Sequence, residues 1–439
     1  MYAMRLFQSL VLFIYTSACL ASITNNESDA MQITTHFNNL TGISCDSTAQ
    51  YCVAVGTSIQ EARLNHIVYT THDGGISWDH HTSLIHPDHE DTKIDIDPLS
   101  SEYFFTTVRC DSTGNQCLIA GITSIAGELT LLTYTSRDGG QNWSKPALIH
   151  VNEQDPGRSL VEGYPSLRLK CNTTGSSCIL ASNTISRFQH APVFFISHNL
   201  GETWSEPSFL TVPSNVPYGL DILDFSCDQS GLICTAVTSN QDSYDNKQTM
   251  QPPQMGLIYS THDGGTTWSD AKPFMIARSK DQDPLSAIDD VLNLINCDQS
   301  GLNCVALGTH YTVKRDENEA TILDNPSHAY LTKNGGLSWL DTYELLPEKG
   351  YTSAFAALDC DTSNRFCATV GIEFDESNDD QFHPVIHTTT DNGQTWHKKH
   401  FTPPENTLSF LLDVFCSEDA AFCHTVGFYL KGLNQSLIK

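Results

Sequence analysis

The side chains with the most chemistry to offer are the cysteines. Of the 15, Cys19 stands near the N-terminus, and the other 14 form seven pairs of one spacing, C-x6-C. They are Cys45/Cys52, Cys110/Cys117, Cys171/Cys178, Cys227/Cys234, Cys297/Cys304, Cys360/Cys367 and Cys416/Cys423. Such sulfurs either ligate a metal or bond to one another. Structural zinc collects four ligands, usually from cysteines about two to four residues apart. Pairs that follow one another at intervals of 56 to 70 residues do not make that set. The segments between the cysteines, such as CDSTGNQC and CDQSGLIC, carry the Asp, Ser and Gly of tight turns. Apolar and β-branched residues flank them. Each pair therefore reads as a β-hairpin whose facing cysteines form a disulfide. A loop this short is worth about 2–3 kcal/mol per bridge.

A second motif, Ser/Thr-x-Asp-x-Gly-x-x-Trp, follows each of the first six pairs. Its carboxylates are Asp73, Asp138, Asp263 and Asp391, with Asn199 and Asn334 in the two variant copies. It ends on Trp78, Trp143, Trp204, Trp268, Trp339 and Trp396, which are all the tryptophans of the chain. An Asp or Asn here can accept N–H groups of its own turn. Gly75 and Gly140 suit a turn position with positive φ. The indole offers a large apolar face to a neighbouring repeat. A device used six times reads as scaffold, not as catalysis. These octets resemble the Asp boxes (BNR repeats) of sialidases, sortilin-type receptors, some glycoside hydrolases and photosystem-assembly-like propellers. The resemblance extends over nearly the whole chain and implies a β-propeller.

Counting strands leads to the same architecture. In the first unit, residues 40–44, 52–57, 67–71 and 76–80 read as strands a to d, and a four-stranded unit of this length is a propeller blade. The expected fold is all-β: a seven-bladed propeller of four-stranded antiparallel blades. The seventh unit begins at Cys416/Cys423 and stops before any Asp box, with residues 436–439 as its strand c. Residues 31–37 precede the first blade and are expected to supply the outer strand of the last one, closing the ring and removing an open edge.

Disulfide hairpins and Asp boxes then share one face. The long connections at residues 80–102, 144–166, 235–254, 269–289 and 305–328 lie on the other, where binding loops usually sit. Resemblance to sialidases implies three arginines around a substrate carboxylate, a Tyr–Glu nucleophile pair and an Asp acid/base. The family's Arg-Ile-Pro motif is absent. Arg137 and Arg365 fall in scaffold turns and Arg109 beside a disulfide cysteine, leaving Arg158, Arg187, Arg278 and Arg315 as loop-face candidates. A glycosidase of another kind needs two carboxylates at a set distance. Asp95, Asp97, Asp221, Asp224, Asp289 and Asp290 are available by position. Asp95 with Asp97, or Glu376 with Asp380, offers oxygen ligands to Ca²⁺ without a complete binding loop. No other cofactor or metal is expected.

The net charge of −28 excludes nucleic acid as a partner. Arg5 and the apolar run at residues 6–15 read as an export signal ending near residue 21, too short to span a membrane. Cleavage before Cys19 would leave a lipid-modifiable thiol, although Thr16 stands where a lipobox has Leu. The chain thus reads as a monomer, secreted or at the cell surface, with a propeller at residues 22–439. Its expected partner is a glycan or extracellular protein, bound without catalysis. An exo-glycosidase of sialidase type with a divergent site, and a structural assembly factor, stay open.

Overall fold

Each C-x6-C segment folds as a hairpin. The computed structural model describes residues 16–24, 33–36, 39–60, 63–81, 84, 103–125, 128–151, 158–160, 167–186, 189–214, 216, 219–240, 256–274, 287–316, 319–324, 326–345, 351–375, 378–399, 407–419 and 422–431. In it all seven pairs are disulfides, with Cα atoms 3.9–4.0 Å apart. Every regular element described is a strand, and none of the described residues forms a helix long and apolar enough to cross a membrane.

The strands form seven separate antiparallel sheets. The first follows chain order: Asn39–Cys45, Cys52–Gln60, Arg63–Thr71 and Asp79–His81. Its outer strand starts later than residue 76, because the Asp73 carboxylate holds the Ser77 N–H at 2.9 Å and keeps it out of the ladder. Five more sheets repeat this order, each beginning at a disulfide strand. In the third, the inner strand is broken into Arg158–Leu160 and Arg168–Cys171, which pair with Cys178–Ser186 separately. The remaining sheet joins Thr407–Cys416 and Phe422–Lys431 to Thr16–Thr24 and Ile33–His36. Residues 436–439, expected beside Phe422–Lys431, lie outside the described residues, and Thr16–Thr24 takes that place instead.

The sheets stand face to face like the blades of a propeller, and each interface is a separate apolar core. Val53, Val55 and Val68 meet Ile119 and Tyr134 of the second sheet. On that sheet's other face, Leu118 and Leu131 meet Leu180 and Phe195 of the third. The series returns on itself where Val426 and Phe415 pack against Leu40, Ile43 and Tyr69 of the first. Each buried aromatic or branched side chain contributes about 1.5–3 kcal/mol to these contacts.

The disulfides belong to these cores, which the turn-like sequences between the cysteines did not suggest. The second cysteine of every pair is at most 2% exposed: Cys52, Cys117, Cys178, Cys234, Cys304, Cys367 and Cys423. Each of the seven lies in a different inter-sheet core, Cys117 beside Val53 and Ile119, and Cys423 beside Val414 and Ala368. The physical reason is the alternation of a strand. With Cys117 opening its strand, Ile119 two residues on points to the same face, and that face is covered by the first sheet. The bridges therefore add apolar packing to the closing of their turns.

The inner strands carry β-bulges. Register shifts fall between Leu40 and Gly42, Leu292 and Leu294, Phe355 and Ala357, and Leu411 and Asp413. Opposite them stand Gly56, Gly308, Gly371 and Gly427. A Cβ on Gly56 would lie 1.9 Å from the Asn39 carbonyl oxygen, and one on Gly427 would lie 1.9 Å from that of Phe410. The third sheet has an interrupted inner strand instead of a bulge, and there the equivalent residue is Ser182, fully buried.

One position of the third strands departs from its repeats. Nine residues before the box tryptophan stand Tyr69, Tyr134, Phe195, Tyr259 and Tyr330, all buried, and in the sixth sheet His387. Both nitrogens of His387 are buried without a hydrogen-bond partner. Burial, with Lys398 adding to it, lowers its pKa to about 4.

Denaturation measurements can check two consequences of this packing. Gly56→Ala should lower stability by about 3 kcal/mol, because the clash is with backbone that cannot step aside; a urea midpoint equal to wild type would contradict it. His387 is neutral when folded and accepts a proton more readily when unfolded. Its contribution is therefore complete above pH ~6.5 and is lost as pH falls toward ~4. His387→Tyr, the residue of the other repeats, should remove up to about 3 kcal/mol of this acid sensitivity, read from denaturation midpoints at pH 7 and pH 4.5.

Candidate functional site

The inner strands surround a central channel, and its end beside the disulfide turns opens into a cavity of about 240 Å³. The residue before each first cysteine lines it: Ser44, Arg109, Lys170, Ser226, Asn296, Asp359 and Phe415. Much of this wall ties one sheet to the next. Ser44 Oγ accepts the Cys110 N–H at 2.9 Å, and Ser226 Oγ accepts that of Cys297 at 2.9 Å. Asp359 accepts the Cys416 N–H at 2.8 Å and the Asn296 side-chain amide at 3.0 Å. Two residues deeper, where the bulges turn the strand, Asp413 accepts the Ile43 N–H and Asp224 that of Ile295, both at 3.0 Å.

At the mouth, the residue two after each first cysteine joins a ring of hydrogen bonds. Ser47 N donates to Ser112 O, Ser112 N to Thr173 O, Thr173 N to Gln229 O, Gln229 N to Gln299 O, and Gln299 N to Thr362 O, at 2.9–3.4 Å. The Thr362 hydroxyl donates to Glu418 O at 3.3 Å, and Glu418 N closes the ring on Ser47 O at 3.0 Å.

Six charged groups share the channel below this ring. Arg109 lies 4.0 Å from Asp413, and Arg168, deeper, lies 3.7 Å from Asp224 and donates to Leu223 O at 2.9 Å. Burial pushes the Lys170 ammonium pKa down, against the pull of Asp224, Asp359 and Asp413. Burial likewise raises the Asp359 carboxyl, opposed by Lys170, and the Asp413 carboxyl, opposed by Arg109. Glu418 at the mouth is raised by burial and by Asp419 and Asp46.

The Asp boxes stand on the same face, since in five of the six the residue after the box Asp or Asn donates to the adjacent disulfide turn, as Gly74 N does to Gln50 O at 3.1 Å and Asn392 N to Arg365 O at 3.1 Å. Each box consumes its own acid. Asp73 accepts from Ser77 N at 2.9 Å, Ser77 Oγ at 2.6 Å and Thr71 Oγ1 at 2.8 Å, which brings its pKa down to about 2. Asn199 accepts from Thr203 N at 3.0 Å and donates to Thr203 Oγ1 at 2.8 Å, so the amide serves equally well. Four indoles donate within their own box, as Trp78 Nε1 does to Gly75 O at 3.1 Å, whereas Trp204 Nε1 donates to Thr133 Oγ1 of the preceding sheet at 3.1 Å.

Arg158 and Arg315 sit on strands, opposite Ser186 and Ala320. Arg187, Arg278, Asp95, Asp97 and Glu376 lie outside the described residues, as do most of the long connections. Asp221 takes the His190 ring Nδ1 at 2.9 Å. The cysteines divide by place. The first of each pair borders the cavity, whereas Cys117, Cys178, Cys234, Cys304, Cys367 and Cys423 are sealed between sheets and offer no surface to a ligand. Among the described residues the one cluster close enough for a metal is Cys45, Cys52 and His424. Its two sulfurs are bonded to each other and His424 contacts Ala49 O at 3.0 Å, so it is not a ligand set. Sequence reasoning passed over Arg109, Lys170, Asp359 and Asp413. Three of them share one column: aligned on the first cysteines, the residue before each reads Ser44, Arg109, Lys170, Ser226, Asn296, Asp359 and Phe415, while Asp413 stands two positions further back.

Residues 134–145 match the family model of the BNR/Asp-box repeat. No curated protein sequence matches the chain. Among solved structures, an ulvan lyase bound to a glucuronate–sulfated rhamnose polymer superposes with TM-score 0.52 at 9% identity, over 90% of this chain and 94% of that one. This likeness is one of fold. Further matches are an α-L-arabinofuranosidase of Fusarium graminearum (TM-score 0.43, 11% identity, 74% and 92% covered) and the NanB sialidase of Streptococcus pneumoniae (0.39, 10%, 82% and 68%).

If the channel acids act as acceptors between sheets, Asp413→Ala should cost about 2–3 kcal/mol, since it leaves the Ile43 N–H without an acceptor and Arg109 without its counter-charge. Asp413→Asn, which keeps one oxygen, should cost less. Equal melting temperatures for wild type and Asp413→Ala would show that this bond does not hold the sheets.

Proposed function

We propose that this Asp-box β-propeller is an exported, seven-bladed binding module that takes up a glycan or extracellular protein through its variable loop face, without catalysis. In this reading the N-terminal strands complete the last blade: Ile33–His36 lies within the residues 31–37 expected to do so, and Thr16–Thr24 beside it moves the start of the propeller from residue 22 to residue 16, so that an export signal ends before Thr16 and not near residue 21. The seven sheets and the unbroken ring of turn-to-turn hydrogen bonds support that closure. The seven disulfides and the N-terminal apolar run favour an oxidising, extracellular setting.

One observation carries the non-catalytic reading. The carboxylates of the repeated boxes are spent on their own turns, Asp73 on Ser77 N and Asp138 on Asn142 N, which makes the motif scaffold. On the loop side, the Arg-Ile-Pro motif of sialidases is absent from the sequence, and Arg158 and Arg315 sit on strands opposite Ser186 and Ala320. The ulvan lyase of similar fold is bound to a polyanion, but a chain of net charge −28 repels such ligands. The ligand class that fits is therefore a neutral glycan or a protein surface of neutral or positive charge. No cofactor is required, and added Ca²⁺ should leave binding unchanged.

The test is hydrolysis of a fluorogenic sialoside by the purified, oxidised chain, with and without Ca²⁺, beside binding to an array of neutral and acidic oligosaccharides. The expected result is no turnover, with any binding confined to neutral glycans. Turnover that survives purification and disappears on replacing Arg158 or Arg315 would establish the glycosidase reading instead.

A further inference from the structure

The channel cavity contains charges of both signs from different sheets, with Arg109 and Asp413 4.0 Å apart. Arg109 and Lys170 come from the second and third sheets, Asp359 and Asp413 from the sixth and seventh. The Lys170 ammonium has no hydrogen bond and no carboxylate within 4.0 Å among the described residues. It borders the cavity, and its three donors have no partner among the described residues. Across from it, each Asp359 oxygen accepts one N–H, and so does each Asp413 oxygen, which leaves each a further lone pair.

A bare anion entering here would meet Lys170 and Arg109 but also Asp359 and Asp413, after passing the acids of the mouth. A metal cation would meet the carboxylates but also two cations. A ligand that carries both charges a short distance apart meets neither conflict. We propose that the cavity binds a small zwitterion of the α-amino acid type, its carboxylate on Lys170 and Arg109 and its ammonium toward Asp359 and Asp413. At the mouth six of the seven ring residues are neutral Ser, Thr or Gln, Glu418 being the exception, and the turn acids Asp111, Asp228, Asp298 and Asp361 beside them each accept an N–H of their own turn. The electrostatics agree: burial disfavours the charged forms of Lys170, Asp359 and Asp413, and a zwitterion compensates both signs at once. This site lies at the opposite end from the loops and does not depend on the loop-face reading.

Glycine, acetate and methylammonium are titrated separately into the full, oxidised chain at neutral pH by calorimetry. In parallel, labelling of Lys170 by an amine reagent is followed by peptide mass spectrometry. Glycine should bind about tenfold more tightly than either half-molecule and should slow labelling, the usual worth of one charge-assisted hydrogen bond. Lys170→Gln should weaken glycine by about tenfold with disulfides and melting temperature retained, and Lys170→Arg should keep most of the affinity. Acetate binding as well as glycine would reduce the site to an anion site and overturn the proposal. Absence of saturable binding with Lys170 labelling unprotected would overturn it as well, and would leave the charges as ties between sheets. Should Lys170→Gln fail to fold, the labelling of the unaltered protein decides alone.

Discussion

Around the channel mouth, each disulfide turn donates to the next, and Glu418 N returns the series to Ser47 O. A circle of hydrogen bonds leaves no first or last member, and this closure is the constraint on which the other features depend. An open row of sheets would expose an unpaired strand edge and an uncovered apolar face at each end. Closure requires that every turn be the same size and stand at the same height. The repeated disulfide spacing meets that requirement, because facing cysteines set both the length and the register of the turn. The apolar cores obey the same circular logic, with Val426 packed against the first sheet as Val53 packs against the second.

Bringing seven inner strands to one axis crowds their polar groups. The bulges relieve this by turning Asp224 and Asp413 toward the following strand, where each accepts a backbone N–H. The glycines opposite the bulges make room for the kink. The result is a narrow channel in which acids and bases lose much of their water. Coulomb attraction among Arg109, Lys170, Asp359 and Asp413 answers only part of that loss, so burial still moves Lys170 down and the two carboxyls up. Charges with unmet solvation at the axis of a rigid ring are places where a ligand can be held.

The two faces divide the work of the molecule. On the scaffold face, turn acids such as Asp46 and Asp73 are spent on their own turns, and the boxes lean on the disulfide hairpins. Substituting Asn199 or Asn334 for Asp keeps the same acceptor, which identifies the motif's task as turn geometry. Variation is thereby displaced to the connections at the other end of the strands and to the column of residues that lines the channel. The net charge of −28 makes anionic partners unfavourable to both.

Most of the fold was legible because its signals are local. A turn of six residues between cysteines, or an octet ending in Trp, is read within a few positions, and its repetition announces the blade. The first unit's strands fell within a few residues of their observed bounds, and the late start at Asp79 came from one carboxylate taking one N–H. The pairing of the cysteines was legible too, but not the burial of Cys117, Cys234, Cys304, Cys367 and Cys423, because the sheet that covers each is supplied by another repeat. The channel site was not legible in the same way. Arg109 and Lys170 looked like incidental neighbours of cysteines, and Asp359 and Asp413 like two acids among 51. The sequence by itself determined the repeat, the disulfides and the strand order within each unit. Only the tertiary structure decided that residues some 60 positions apart face one another across an axis, and that Thr16–Thr24 lies beside Phe422–Lys431. The physical reason is that charge pairing and desolvation depend on distance in space, which is set when the ring closes and is written in no single repeat.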